Sequence, residues 1–395
     1  MSQENDHVSL VRCENYDPDQ VMDAVRKAIG LLGGLDRFVS PGQRVLVKPN
    51  LLQGVPPEKC VTTHPEVVFA VAKLLKDHGC QVTIADSAGG ETPFTTARLQ
   101  KLYEVTGMAK SAERAGVTLG TEARYMEVPS PQGKVVKRFQ VIAPAAEADV
   151  IVVVSKAKTH VLTTMTGAIK CIFGVLPGME KPSLHGRMPE VDSFSDMLLD
   201  LNEAVRPHLQ IMDAVMGMEG EGPSGGDPRH IGAILASGNC VSLDIVAATI
   251  MSFRPEEIPA IARAVARGMV DSDLQVKVLG EDPGSLTVAD FKHPPRTKSA
   301  LGNKLARGRV VTRLLRAYAL RPAIDRERCI GCGICARSCP QKVIRIVRGK
   351  ARIKYGKCIR CYCCHEMCQE KAIGLERSRG GRLIARIMED RKART

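Results

Sequence analysis

Residues 329–340 read Cys-Ile-Gly-Cys-Gly-Ile-Cys-Ala-Arg-Ser-Cys-Pro, so Cys329, Cys332, Cys335 and Cys339 are separated by two, two and three residues and Pro340 follows the last. The pattern recurs: Cys358, Cys361, Cys364 and Cys368 each stand 29 residues after a counterpart, and Gln341-Lys342-Val343-Ile344 is echoed by Glu370-Lys371-Ala372-Ile373. Three thiolates in a tight, glycine-bearing loop can wrap three irons of a cubane, while the fourth cysteine leaves the loop and reaches the other cluster. The spacing therefore assigns one [4Fe–4S] cluster to Cys329, Cys332, Cys335 and Cys368, and a second to Cys358, Cys361, Cys364 and Cys339. Zinc sites close a tetrahedron with paired ligands, which duplicated triplets fit poorly. The second copy has Gln369 in place of the proline, which loosens the turn without removing a ligand; Cys363 is expected to be a spare thiol beside the cluster, with a ligand swap with Cys361 or Cys364 as the alternative.

Nine of the fourteen cysteines lie between Cys329 and Cys368, so the other 300-odd residues need a separate account. With 395 residues the chain exceeds the size of a typical single core, and 44% hydrophobic with 25% charged residues is an ordinary globular composition. The charge is divided. Residues 292–395 hold 28 Lys and Arg against 7 Asp and Glu, leaving 28 against 36 for residues 1–291. A boundary near 291 follows, with an acidic domain before it and a basic segment suited to an acidic partner or an anionic surface after it. The polar start has no basic stretch leading into an apolar one, and no run approaches the ~20 apolar residues of a membrane span. Thiolate clusters need a reducing compartment, so a cytoplasmic location is expected.

Residues 1–291 read as an α/β domain with a helix-covered, mostly parallel sheet. Apolar runs at 45–47, 82–84 and 150–154 have the character of buried strands, with a helix over 67–78 between two of them. Further strands are expected at 8–12, 209–212 and 231–236, and a helix over 241–251 after the turn Gly238-Asn239. Ligands of such sheets bind beyond strand ends. There the sequence places Lys48-Pro49-Asn50, Thr63-His64-Pro65, Asp86-Ser87, Lys158-Thr159-His160, Gly167-Ala168-Ile169-Lys170, His185, Asp213 and Glu219. Candidate catalytic residues are Lys170, His160, Lys158, His64 and Asp86; candidate binding residues are Lys48, Asn50, His185, Asp213 and Glu219. Lysines suit an anionic ligand, and histidines suit a metal or proton movement. No nucleotide-binding glycine fingerprint is present.

As a set, these motifs and the eight cluster cysteines resemble the family called domain of unknown function 362, fused to a bacterial-type two-cluster ferredoxin domain, over residues 8–376. The resemblance implies an iron–sulfur protein and supplies no substrate. A shorter stretch, Gly167 to Lys170 with Pro177-Gly178, His185 and the earlier His160, is similar to the cofactor region of nickel-pincer lactate racemases, although Ala168 stands where that family tends to have a second glycine. By position, that similarity implies that Lys170 would hold a pyridinium cofactor, His185 would bind nickel and His160 would act as acid and base.

The domain order expected is an α/β domain at 1–291, a basic linker at 292–325 containing an amphipathic helix, a two-cluster ferredoxin-type α+β domain at 326–378 and a basic tail at 379–395. The helix, over 301–320, is expected to pack as a connector or to touch a membrane surface peripherally. Few aromatics are available to stack on bases, which disfavours nucleic acid. The leading functional expectation is an electron-transfer protein, an iron–sulfur oxidoreductase that meets a redox partner protein and acts on a small anionic or metal-containing substrate in the α/β cleft. An extra metal or metal–organic cofactor there is a further expectation. The alternatives are a non-enzymatic electron carrier or assembly factor, and a nucleic-acid-associated protein using the linker and tail.

Overall fold

A computed structural model of the chain describes residues 6–87, 89, 94–295, 319–378 and 380–382. The strands are β1 (Val8–Arg12), β2 (Arg44–Pro49), β3 (Gln81–Ile84), β4 (Thr118–Leu119), β5 (Tyr125–Pro129), β6 (Arg138–Ile142), β7 (Val150–His160), β8 (Thr164–Thr166), β9 (Leu209–Glu219), β10 (Asp227–Ser237), β11 (Val278–Gly280), β12 (Arg321–Ile324), β13 (Ile344–Val347), β14 (Lys350–Ile353) and β15 (Ile373–Glu376). Among the described residues one nine-stranded sheet runs β11-β1-β10-β9-β7-β2-β3-β4, with β8 attached to β7. The succession β9-β7-β2-β3-β4 is parallel, whereas β10 is antiparallel to both neighbours. The α/β architecture is thus a mostly parallel mixed sheet with helices.

Each face of the sheet has its own apolar layer. On one side Val45, Val47, Val150 and Val152 meet helices Pro18–Leu31 and Pro65–Asp77; on the other Ile151 and Val153 meet Val191–Val205 and Cys240–Ile250. Burial on both faces explains why the middle of the sheet reads as unbroken apolar runs. Helix Pro65–Asp77 starts where His64 caps it and Pro65 supplies a preset φ, and it buries Val67, Val68, Val71 and Leu75.

Three strands run past their expected ends. All eleven residues of β7 are buried, so Lys156, Lys158 and His160 lie within the strand rather than beyond it. The chain can remain extended because these polar groups are paired internally, and because Lys158 and His160 form a short antiparallel ladder with Thr166 and Thr164. Likewise β9 reaches Glu219 and β10 begins at Asp227.

In the C-terminal module β12 pairs with β15 and β13 with β14, all antiparallel, around a core of Cys329, Cys335, Cys339, Cys364, Val343, Ile344, Ala351 and Ile373. The small ferredoxin-like unit therefore starts at Arg321, inside the segment assigned to the linker. At the other end of that segment, Lys292 O accepts from Gly220 N at 2.7 Å and His293 stacks on Phe253 at 4.0 Å, so the first residues pack on the α/β domain. Most of the expected helix over 301–320, and the tail beyond 382, lie outside the described residues. Among the described residues, no helix is long and apolar enough to cross a membrane.

Candidate functional site

The C-terminal ends of β2 and β3 open onto a cleft of about 400 Å³ lined by Lys48, Asp86, Lys158, Lys170, Cys171 and Lys181, among others. Lys48 forms a buried ion pair with Asp86, and its ammonium also reaches Pro49 O at 2.5 Å and Cys171 Sγ at 3.6 Å. Burial alone would push Lys48 down, but Asp86 and Cys171 outweigh it and its pKa ends above the ordinary value. Lys158 donates to Val61 O at 2.6 Å, and Lys181 donates to Ser87 Oγ. Burial lowers both lysines to about 7. Lys170 is lowered as well, chiefly by burial against the pull of Glu366. Its ammonium lies 5.6 Å from the Phe173 ring centre and has no hydrogen-bond acceptor among the described residues. Four ammonium groups thus share one space with fewer carboxylates, an arrangement that an anion would complete.

Two glycines make the geometry possible. Asp244 caps the short helix Ala168–Cys171, accepting from Ala168 N at 2.6 Å and Ile169 N at 3.0 Å. A Cβ at Gly167 would overlap that carboxylate, and a Cβ at Gly174 would fall on the Lys48 ammonium and within 2.6 Å of Asp86 Oδ2. Burial lifts Asp244 to about 7 even though both backbone N–H groups pull it down.

His160 is entirely buried behind Lys170. Its Nδ1 accepts from Leu162 N at 3.1 Å and Thr163 N at 3.4 Å, and its Nε2 lies 3.3 Å from Glu366 Oε1. Burial first, then Lys170 and His185, hold it well below the ordinary imidazole range, so the ring is neutral. His185 stacks on Phe194 at 4.3 Å and meets the edge of Phe173 at 5.7 Å. Asn50 lines the cleft and donates to Val61 O at 2.9 Å. Lys48, Asn50, Asp86, Lys158, His160, Lys170 and His185 are thus brought together.

His64, Asp213 and Glu219 are not. His64 stacks on Tyr16 at 3.6 Å, and its backbone N–H donates to Asp213, which also takes Lys156 at 2.7 Å and the Tyr16 hydroxyl at 2.9 Å. Burial drops His64 to about 4. Glu219 accepts from Lys292 N at 3.0 Å and fastens the residues leaving the domain. The strand ends are wide enough to hold two separate polar clusters, which chain position alone does not distinguish. Among the described residues no three His, Cys, Asp or Glu side chains gather as a metal site.

The sequence reading passed over Glu366, which arrives from the C-terminal module. The four residues of helix Cys363–Glu366 are all buried, whereas the corresponding helix Ile334–Arg337 of the first repeat buries only Cys335. Glu366 O accepts from Gln53 Nε2 and, at 2.6 Å, from Ser224 Oγ; His365 Nε2 faces Glu221 O at 3.2 Å; Lys371 Nζ donates to Gly226 O at 3.0 Å. Glu366 is raised by burial and lowered by Lys170. The clue was in the repeat itself: Glu366 and His365 stand where the first copy has Arg337 and Ala336.

Within the module a cavity of about 340 Å³ is lined by Cys339, Cys358, Cys361 and Cys364 together with Ile344, Ile353 and Tyr362. Cys335 feels the charges of Cys368, Cys332 and Cys329, and Cys368 those of Cys332 and Cys329, so the other four cysteines are also grouped. Ala351 N donates to Cys329 Sγ at 3.4 Å and Ala372 N to Cys368 Sγ at 3.2 Å. Although no three of these thiols gather as a metal site among the described residues, four cysteines lining one apolar cavity are the donor set that a cubane cluster takes.

Residues 45–249 match the model of a family described as domain of unknown function, DUF362, and residues 321–369 match that of a 4Fe-4S dicluster domain. A thylakoid-associated protein of Synechocystis sp. is 32% identical over 288 residues, covering 73% of this chain and 87% of its own. The lactate racemase apoprotein of Thermoanaerobacterium thermosaccharolyticum aligns with a TM-score of 0.39 and 12% identity over 64% of this chain, which spans 58% of that one. A Thermotoga maritima protein aligns with a TM-score of 0.32 and 12% identity over 55% of each chain.

Proposed function

Since the chain belongs to the domain of unknown function 362 family and carries a 4Fe-4S dicluster domain, we propose that it is an iron–sulfur oxidoreductase acting on a small anion held in the lysine cleft. One observation carries this reading: the helix that follows Cys361 is buried against the cleft, bringing Glu366 to 3.3 Å from His160. Cys358, Cys361, Cys364 and Cys339 would hold the cluster nearer the cleft, and Cys329, Cys332, Cys335 and Cys368 the one nearer solvent. When bound, these clusters supply single electrons.

The rest is the work of the chain's own side chains. Lys170, which has no hydrogen-bond acceptor among the described residues, offers its charge to an anionic group, while Lys158 and Lys181, poised near neutrality, take up protons as that group enters. Lys48 remains charged beside Asp86 and fixes the floor of the cleft. Neutral His160, whose Nδ1 accepts two backbone N–H groups, carries its proton at Nε2 and can give it there. Fusion of the module to the domain keeps electron source and substrate at high effective concentration. A reducing, cytoplasmic setting agrees with the exposed Cys332 thiol.

The test is anaerobic reconstitution to about eight irons, the content of two four-iron clusters, followed by reoxidation of the reduced protein with small carboxylates and phosphates. Lys170→Ala and His160→Ala are expected to retain the iron and lose substrate-dependent reoxidation. Unchanged reoxidation in both variants would remove the cleft from the reaction.

A further inference from the structure

We propose that the face of the dicluster module around Cys332 is a docking surface for an acidic electron-carrier protein. This rests on the electron-transfer reading and extends it to the opposite side of the module. Cys332 is exposed, whereas the other seven cysteines assigned to clusters are buried or half-buried. Beside it Ile330 is 65% exposed, more than any other large apolar side chain among the described residues.

The surface continues onto the hairpin β13–β14. Lys350 Nζ donates to Cys329 O at 2.6 Å, and the Gly331 position lies directly against the Gly349 backbone, so loop and hairpin pack directly together. On that hairpin Ile346 and Val347 are 39% and 36% exposed. Arg345 and its cross-strand partner Arg352 share a face of the hairpin with Val347, Arg337 Nη1 donates to Cys332 O at 3.3 Å, and Lys342 and Arg348 are exposed as well. From residue 325 to 353 there are eight Lys and Arg against two acidic residues, Asp325 and Glu327.

A small apolar centre within a charged rim is the anatomy of a transient interface. The rim's single sign selects an acidic partner and speeds its encounter. The position of the patch selects a redox protein, because the patch includes the loop that carries the one cluster-assigned cysteine open to solvent. The Cys363–Glu366 side of the module is already covered by the α/β domain.

The experiment uses the reconstituted full chain and an acidic plant-type [2Fe–2S] ferredoxin as probe, with affinity measured by calorimetry at low and high salt. Binding at low salt is expected, weakening at least about tenfold as salt rises. Arg345→Glu with Arg348→Glu should weaken low-salt binding by about tenfold or more, and Ile330→Asp should weaken it as well. Lys27→Glu with Lys76→Glu, on the far helices, should leave it unchanged. No low-salt binding, no effect of the patch variants, or an equal effect of the far pair would overturn the proposal. So would patch-dependent attachment to phosphatidylglycerol vesicles without ferredoxin binding. Iron content and the reduced electron paramagnetic resonance (EPR) signal of the same samples separate the two readings. Iron-free protein defeats the electron-transfer reading and the docking surface together, whereas intact clusters with no patch dependence defeat the docking surface alone.

Discussion

Glu366 Oε1 and His160 Nε2 stand 3.3 Å apart, joining the second cysteine loop to the last residue of β7. Burial raises the glutamate and lowers the imidazole, which disfavours a full ion pair, and neither facing atom has a hydrogen-bond partner among the described residues. It adds a side-chain contact to the hydrogen bonds from Gln53, Ser224 and Lys371 that also join the two parts of the chain.

The two repeats offer an internal control for that contact. Glu366→Arg, which imports the residue type of the first copy, sets a new cation beside Lys170 and is expected to destabilise the protein by about 3–5 kcal/mol. The reciprocal Arg337→Glu, at an exposed site, should fall within about 0.5 kcal/mol of the parent. Denaturant unfolding of both variants checks the difference.

Lys156 and Lys170 separate structural from functional lysines. Lys156→Ala strands Asp213, a fully buried carboxylate, and should cost about 3–5 kcal/mol. Lys170→Ala removes a buried cation that has no hydrogen-bonded acceptor among the described residues and should be neutral or stabilising by up to about 2 kcal/mol while sulfate affinity is lost. Thermal unfolding with and without sulfate reads both effects.

The cleft has a pH signature with two opposite signs. Lys158 and Lys181 fall from 10.5 to about 7 on folding, so between those values the unfolded chain binds more protons and stability rises with pH. Affinity for sulfate, whose own charge is constant over this range, should instead fall above pH 7 as the ammoniums deprotonate. Paired unfolding and sulfate titrations from pH 6 to pH 10 check this; parallel trends would contradict it.

Gly174→Ala places a methyl group against the Lys48–Asp86 pair and Gly167→Ala places one against the Asp244 cap. Each should cost about 1–3 kcal/mol through overpacking. The first should also abolish sulfate binding, as read by calorimetry.

Much of this was legible in the chain. The cysteine repeat specified the small module, and β-rich apolar runs located β1, β2, β3 and β7 because sheet burial leaves a direct compositional trace. The ends of β7 and β9 were not legible, since lysine and aspartate inside a strand look like a loop until partners such as the Lys156–Asp213 pair are known. His64 and Asp213 resembled site residues for the same reason: their strand-end position is shared with the cleft, but their partners are not. Glu366 was hidden because its neighbours come from distant parts of the chain.

The link between the second cysteine loop and the lysine cleft is tested most directly by an EPR-monitored redox titration of Cys368→Ser and Cys339→Ser proteins, each with and without Lys170→Ala. Loss of the Lys170 charge should lower the potential of the cluster retained in Cys368→Ser and leave that of the cluster retained in Cys339→Ser unmoved. Equal shifts in both, or a shift only in the latter, would place the cleft beside the wrong cluster.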